Sequence, residues 1–215
     1  MKDDEAVKRI LDLLDELYPW DESCFLEYRK PWQLLFATIL SAQCTDDRVN
    51  AVTKTLYKKY RTLEAFASAE IDELEQDVLP AGFYKMKAKH IKETAELLIS
   101  RHGGMVPGDI ESLVRLPGVG RKTANVTLGH VFKIPSIVVD THVKRISNRL
   151  GLTKNSCPVK IEFDLMKILP ESHWIRFNQQ IITHGRQVCV ARSPRCEKCG
   201  LASECDARAA DGRVQ

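Results

Sequence analysis

The stretch Leu116-Pro-Gly-Val-Gly-Arg-Lys-Thr-Ala-Asn125 constrains the fold of this chain more than any other. Pro117, Gly118 and Gly120 stand where a helix cannot run, between a short helical turn at 110–114 and a fresh helix beginning at Arg121. The expected unit is helix, tight glycine hairpin, helix. Gly118 and Gly120 can adopt positive φ and let another backbone come close. The new helix opens with unpaired N–H groups, a ready anion site. Amides aimed at a phosphate would grip DNA without reading its sequence. A plain packing corner between two helices is the alternative. Lys122, two residues past the second glycine, adds something a corner does not need: a lysine beside a bound phosphodiester is placed for chemistry as well as charge.

The rest of the chain reads as helices too. Residues 4–18 place Ala6, Ile10, Leu11, Leu13, Leu14 and Leu17 on one stripe. Pro31 suits the first turn of a helix through Leu34, Leu35, Ala37, Ile39 and Leu40, and Thr45 or Asp46 can cap the next. A short helix over 71–78 ends at Pro80. The span 85–102 turns Ala88, Ile91, Ala95 and Leu98 inward and Lys85, Lys87, Lys89 and Lys92 outward, and Gly103-Gly104 stops it. Residues 135–140 form an extended link, with strand-like Ile137, Val138 and Val139. Asp140 is the natural N-cap of a helix through Val143, Ile146 and Leu150. Two more helices are expected over 158–169 and 174–188. The architecture is all-α. With 215 residues the chain can bury one good core or two smaller ones. A net charge of +3 supports a nucleic-acid partner only if it gathers on one face. No apolar run is long enough for a membrane span, and Met1-Lys-Asp-Asp-Glu shows no secretory signal, so a cytoplasmic protein is expected.

The seven cysteines are unevenly spread. Cys24, Cys44 and Cys157 are isolated, while Cys189, Cys196, Cys199 and Cys205 crowd into a terminal coil poor in apolar residues. That distribution argues for a metal centre rather than a disulfide framework. Four thiolates at this spacing can close a tetrahedral zinc site or hold an iron–sulfur cubane, and the spacing alone leaves both open. Arg192, Arg195 and Lys198 sit among the four. They are either a basic edge for a phosphate backbone or ordinary solvated charge.

Lys122 and Asp140 stand out chemically. A lysine forms a Schiff base when it is neutral for part of the time, which burial or nearby cations such as Arg121, Lys144 and Arg145 favour. A carboxylate at a helix start stays ionised readily, although Asp140 could be a cap and nothing more.

Taken together, LPGVGRKTAN, then VDTHVKRISNR at 139–149, then the four cysteines resemble the endonuclease III family of DNA glycosylases in order and separation. LSAQCTDDRVN at 40–50 and AGFYKMKA at 81–88 are similar to that family's segments as well, so the likeness covers nearly the whole chain. It departs at Asn178-Gln179-Gln180, where family members often carry His-His-Trp before His-Gly-Arg.

The resemblance implies a six-helix domain over 24–134, a second domain from 1–23 and 135–215, and a central cleft between them. It implies a [4Fe–4S] cluster on the four cysteines. Lys122 becomes the amine nucleophile and Asp140 the catalytic carboxylate. The DNA contacts are the hairpin residues Leu116, Gly118, Val119, Gly120 and Arg121, with Arg192, Arg195 and Lys198 in the coil. Thr123 and His142 become pocket members, though each could equally cap or pack. Gln43 and Phe83 take the family's inserting positions, with a core aromatic as the other reading of Phe83. The implied activity is that of a bifunctional glycosylase and abasic-site lyase acting as a monomer on double-stranded DNA that carries oxidised pyrimidines or abasic sites. Its rivals are a pyrimidine-dimer or mismatch glycosylase of the same fold, and a non-enzymatic module clamping DNA with the hairpin and a zinc coil. The family's mismatch relatives lack a lysine at this position, so Lys122 is the residue that argues for the lyase.

Overall fold

A computed structural model describes residues 2–210. Among the described residues it is all helical, with no strand. No helix is long and apolar enough to cross a membrane. The chain divides into two compact units. Cys24–Ile134 forms one; the residues through Ser23 and from Pro135 onward form the other. The outermost positions of the expected domain limits, 1 and 211–215, lie outside the described residues.

Helix α1 (Asp4–Leu17) opens the chain and belongs to the discontinuous unit. Its N-cap Asp3 accepts from Ala6 N at 2.8 Å. Ile10, Leu11 and Leu14 are buried, but Leu17 is 42 % exposed. The expected stripe therefore ends one turn early, because Leu17 lies at the helix end against Gly200 rather than under the core.

The continuous unit then follows: α2 (Pro31–Leu40), α3 (Asp46–Lys59), α4 (Leu63–Ala67), α5 (Ile71–Val78), a single 3-10 turn (Leu79–Ala81), α6 (Tyr84–His102), α7 (Ile110–Leu113) and α8 (Arg121–Phe132). Every residue of α2 after Pro31 is buried. A helix that is apolar on all sides must be surrounded, and α3, α6 and α8 pack around it. Trp32, Phe36, Tyr57, Tyr60 and Phe66 form a cluster of tilted and edge-to-face rings at its start. Thr45, not Asp46, caps α3, through Arg48 N.

One expectation fails here. Lys85 and Lys89 face solvent, but Lys87 is buried, at 4 % exposure. Its Nζ donates to Leu40 O at 2.7 Å and to Ala81 O at 2.8 Å. Helical periodicity puts position 87 beside Ala88 and Ile91 on the inner face, and two helix-end carbonyls waiting there make burial of an ammonium tolerable.

The discontinuous unit resumes with the extended link 135–140, α9 (Thr141–Leu150), α10 (Pro158–Ile168), α11 (Trp174–Gln187) and α12 (Asp206–Ala210). The run that departs from the resembled family has a definite task. Asn178 Oδ1 accepts from Val138 N at 3.0 Å, Gln179 Nε2 donates to Ser23 O, and Gln180 Nε2 donates to Asp15 Oδ1 and Tyr18 O. Three buried amides on α11 thus bind both chain segments that complete this unit.

His130, near the end of α8, supplies a test of the continuous unit. Burial, helped by the Lys133 charge, pulls its imidazole down to about 4 from an ordinary 6.5. The unfolded chain therefore takes up this proton first as pH falls. The stability that neutral His130 contributes is complete above about pH 6.5 and is lost between there and about pH 4. The urea midpoint of wild type is expected to fall more steeply over that window than that of His130→Gln. Parallel curves would remove His130 from the acid response.

Candidate active site and cysteine-lined cavity

The hairpin forms as the glycines suggest, but by an unequal division of labour. Val119 N donates to Leu116 O at 3.1 Å and closes the turn. Gly118 has φ +74°, and a Cβ there would stand 2.6 Å from His90 Nδ1, so both backbone and space require glycine. Gly120, expected to share the positive φ, instead has φ −89° in extended backbone. It is the N-cap of α8 and has no side chain to satisfy the first amides of that helix. The glycine cap brings no side-chain acceptor of its own to that helix start.

Leu116, Val119 and Thr123 are buried. The two apolar side chains anchor the hairpin in the core, and Thr123 O accepts from Thr127 Oγ1 at 3.0 Å. These three can present only backbone to DNA. Arg121 is half-buried. Lys122, in the first turn of α8, is exposed, so burial by the protein alone does not desolvate its amine. Lys144 faces solvent, and Arg145 Nη2 binds Gly185 O at 3.3 Å and Cys189 O at 2.9 Å.

Asp140 is the N-cap of α9, its Oδ1 accepting from Val143 N at 2.7 Å. The cap therefore exists, and it takes one oxygen of a two-oxygen group. Half-buried His142 lies 3.2 Å from Arg145 Nη2 through Nδ1. A Cβ on Gly185 would come within 2.4 Å of that His142 atom, which is why glycine stands where α9 and α11 approach.

Gln43 and Phe83 share an uncommon state. Both are exposed, Phe83 at 66 %, and both have positive φ, 54° and 50°. Left-handed backbone is rare for residues other than glycine, above all for a bulky one. The core-aromatic reading of Phe83 is thereby excluded. Strain of this kind persists only where the surroundings hold it, and it is found at binding sites.

The four cysteines line one cavity of about 280 Å³ in the discontinuous unit. Among the described residues no three His, Cys, Asp or Glu converge as a single-ion site. The cavity is several times the ~30 Å³ a water occupies in the liquid. Two arginines one turn apart on α9 brace the coil, a role that the sequence reading missed. Arg145 takes Cys189 O as above; Arg149 donates to Cys189 Sγ at 3.1 Å, Val190 O at 3.0 Å and Ala191 O at 2.9 Å. Their i, i+4 spacing was the available signal. Leu201 supplies the coil's buried apolar anchor. Arg192, Arg195 and Lys198 are exposed, with Arg195 Nη1 also reaching Gln187 O at 3.2 Å.

Comparison with known proteins places these features in context. The family described as "HhH-GPD superfamily base excision DNA repair protein" matches residues 36–171. Endonuclease III of Synechocystis sp. is 49 % identical over 202 residues, 94 % of this chain and 92 % of that protein. Endonuclease III of Bacillus subtilis is 44 % identical over the same shares. A solved structure of a trapped endonuclease III–DNA covalent intermediate, in an estranged-adenine complex, aligns with a TM-score of 0.93 at 42 % identity, covering 99 % of this chain and all of that one.

Gly118→Ala combines a positive φ with a clash on His90. It is expected to cost about 1–3 kcal/mol of unfolding free energy. It should also weaken binding to duplexes of any sequence alike, because the hairpin offers amides rather than base-reading groups. Equilibrium unfolding and titration of two unrelated duplexes check both; an unchanged stability would mean that the turn can be rebuilt without glycine.

Proposed function

The chain belongs to the HhH-GPD superfamily of base excision DNA repair proteins, and on that footing we propose that it removes oxidised pyrimidines from duplex DNA, with Lys122 as nucleophile and Asp140 as the carboxylate that assists it. It is a DNA glycosylase and abasic-site lyase of base excision repair. The observation that carries the residue assignment is the position of Lys122: exposed, in the first turn of α8, directly behind a bare glycine cap.

A base inside a duplex is out of reach, so its nucleotide is turned out of the stack. Hairpin amides and the N-terminus of α8 hold the backbone phosphates while this happens. Gln43 and Phe83 fill the vacated space. DNA closing over Lys122 supplies the desolvation that the free protein does not. The unprotonated amine then attacks C1′ of the sugar and the base departs with the bonding electrons. The carboxylate oxygen of Asp140 that is not engaged by the cap stabilises the positive charge developing on the sugar. The resulting iminium form of the opened sugar makes its C2′ proton acidic, and loss of that proton expels the 3′ phosphate by β-elimination. The strand is cut 3′ to the lesion, and hydrolysis of the Schiff base frees Lys122. The trapped covalent intermediate of the solved endonuclease III is consistent with such a step.

Cys189, Cys196, Cys199 and Cys205 are assigned to a [4Fe–4S] cluster; they crowd into one short coil and all four line one cavity of the discontinuous unit, which supports a shared metal centre. These four thiolates would hold the cluster, and bound there it would tie a coil with little apolar content into a fixed loop. Arg192, Arg195 and Lys198 then present their charge to a phosphate backbone. The setting is the bacterial cytoplasm, on the chromosome, and one chain suffices for every step.

Borohydride is expected to trap wild type on an abasic-site duplex. Lys122→Gln should abolish trapping and leave DNA binding within about threefold, since it removes the amine and not the hairpin. Asp140→Asn keeps the α9 cap, so it should slow single-turnover base release while costing about 1 kcal/mol or less of stability. Trapping that survives without Lys122 would sink the assignment. A lesion panel in which pyrimidine dimers or mismatched bases are preferred over thymine glycol would move the substrate to a neighbouring branch of the fold.

Purified protein is expected to carry close to four irons and no stoichiometric zinc, read by elemental analysis, and to lose proteolytic resistance in residues 189–205 when the iron is removed. One zinc and no iron would overturn the cluster without touching the glycosylase.

A further inference from the structure

We propose that Lys87 is a positioning residue for base extrusion: its buried ammonium holds the loops of Gln43 and Phe83 in a fixed mutual register. The inference rests on the reading of those two side chains as the ones that enter the DNA stack.

Lys87 Nζ binds two carbonyls that end two different elements. Leu40 is the last residue of α2, three before Gln43; Ala81 is the last of the 3-10 turn, two before Phe83. The carbonyl oxygens are thus fixed within the combined reach of a 2.7 Å and a 2.8 Å bond through one nitrogen. Lys87 also holds the second loop by its backbone, its N–H donating to Phe83 O at 3.1 Å. One residue therefore grips the Phe83 turn at two points and the Gln43 turn at a third.

Lysine suits this place for reasons of chemistry. The last carbonyls of a helix have no intrahelical partner and lie at the negative end of its dipole. An ammonium is a pure donor with three hydrogens, and the aliphatic stem of lysine can cross an apolar core. Burial alone disfavours the charge, and desolvation does pull the Lys87 amine below its ordinary value. A neutral apolar side chain would pack here with no such cost. It would leave both carbonyls unsatisfied and the two loops joined only by packing.

The loops need that tie because each ends in a strained residue. Gln43 and Phe83 take left-handed backbone with exposed side chains, so neither is held by burial of its own. Their turns are otherwise closed by short local bonds, Ala42 N to Ile39 O, Cys44 N to Ser41 O and Gly82 N to Leu79 O. Two wedges serve one opened base step only if their separation is set in advance, since a small misplacement forfeits much of the effect of pre-organisation.

The test is a double-mutant cycle with an independent structural arm. Lys87→Met is expected to slow thymine glycol release at least about tenfold in the wild-type background, and about twofold or less when Gln43→Ala and Phe83→Ala are already present. Equal losses in both backgrounds would show that Lys87 acts on general stability and would overturn the proposal. In the free protein, amide exchange at Ala42, Cys44 and Gly82 is expected to quicken about tenfold or more in Lys87→Met while α8 keeps its protection. Unchanged exchange at those three amides overturns the proposal as well. If wild type itself releases no thymine glycol, the reading of the substrate fails, and the exchange arm still decides the role of Lys87. Should Lys87→Met not fold by circular dichroism, Lys87→Gln, which keeps one donating group, takes its place in both arms.

Discussion

A helix buried on every side has to find donors for its last carbonyls inside the protein, and α2 meets this requirement with Lys87. Much of the continuous unit depends on that solution. Burial of α2 calls for helices around it, and α3, α6 and α8 supply them. The donor has to come from one of these neighbours and has to be long, because the end of α2 lies beneath α6. The same ammonium reaches Ala81, so satisfying one buried helix end also fixes the turn before Phe83. A requirement of backbone hydrogen bonding thus fixes the geometry of two exposed loops.

The hairpin obeys the opposite rule. It ends at a helix start whose cap residue has no side chain. Gly120 caps α8 without satisfying its amides, and Gly118 lets the turn lie against His90. Leu116 and Val119 are buried under it, so a rigid base supports an open rim. Lys122 on that rim is exposed.

The cysteine coil is held from outside. Arg145 and Arg149 reach from α9 to carbonyls along 185–191, and Leu201 supplies the buried apolar contact. α9 therefore serves two ends. Its N-cap is Asp140, and its inner arginines brace the loop whose cations face outward. The buried amides Asn178, Gln179 and Gln180 stitch α1 and the 135–140 link to α11. A run that departs from the family pattern here does structural work with polar side chains in place of an aromatic one.

What the sequence determined by itself were the local events. Hydrophobic period, capping residues and proline placement set the helices, and the caps Thr45 and Asp140 were visible because a side chain bonds its own next turn. The hairpin was legible for the same reason, as was the crowding of four cysteines. Tertiary structure decided everything that depends on a distant partner. Lys87 lies in a run of lysines that reads as solvated, and only the carbonyls of Leu40 and Ala81, far away in sequence or in another turn, turn it inward. Leu17 reads as core and lies at an exposed helix end. Gly120 reads like Gly118, yet only Gly118 has His90 against it and positive φ. Arg145 reads as a free surface cation, and the fold gives it the carbonyls of Gly185 and Cys189. Charge and polarity in a sequence say what a side chain can bond; which bond forms depends on what the fold carries within its reach.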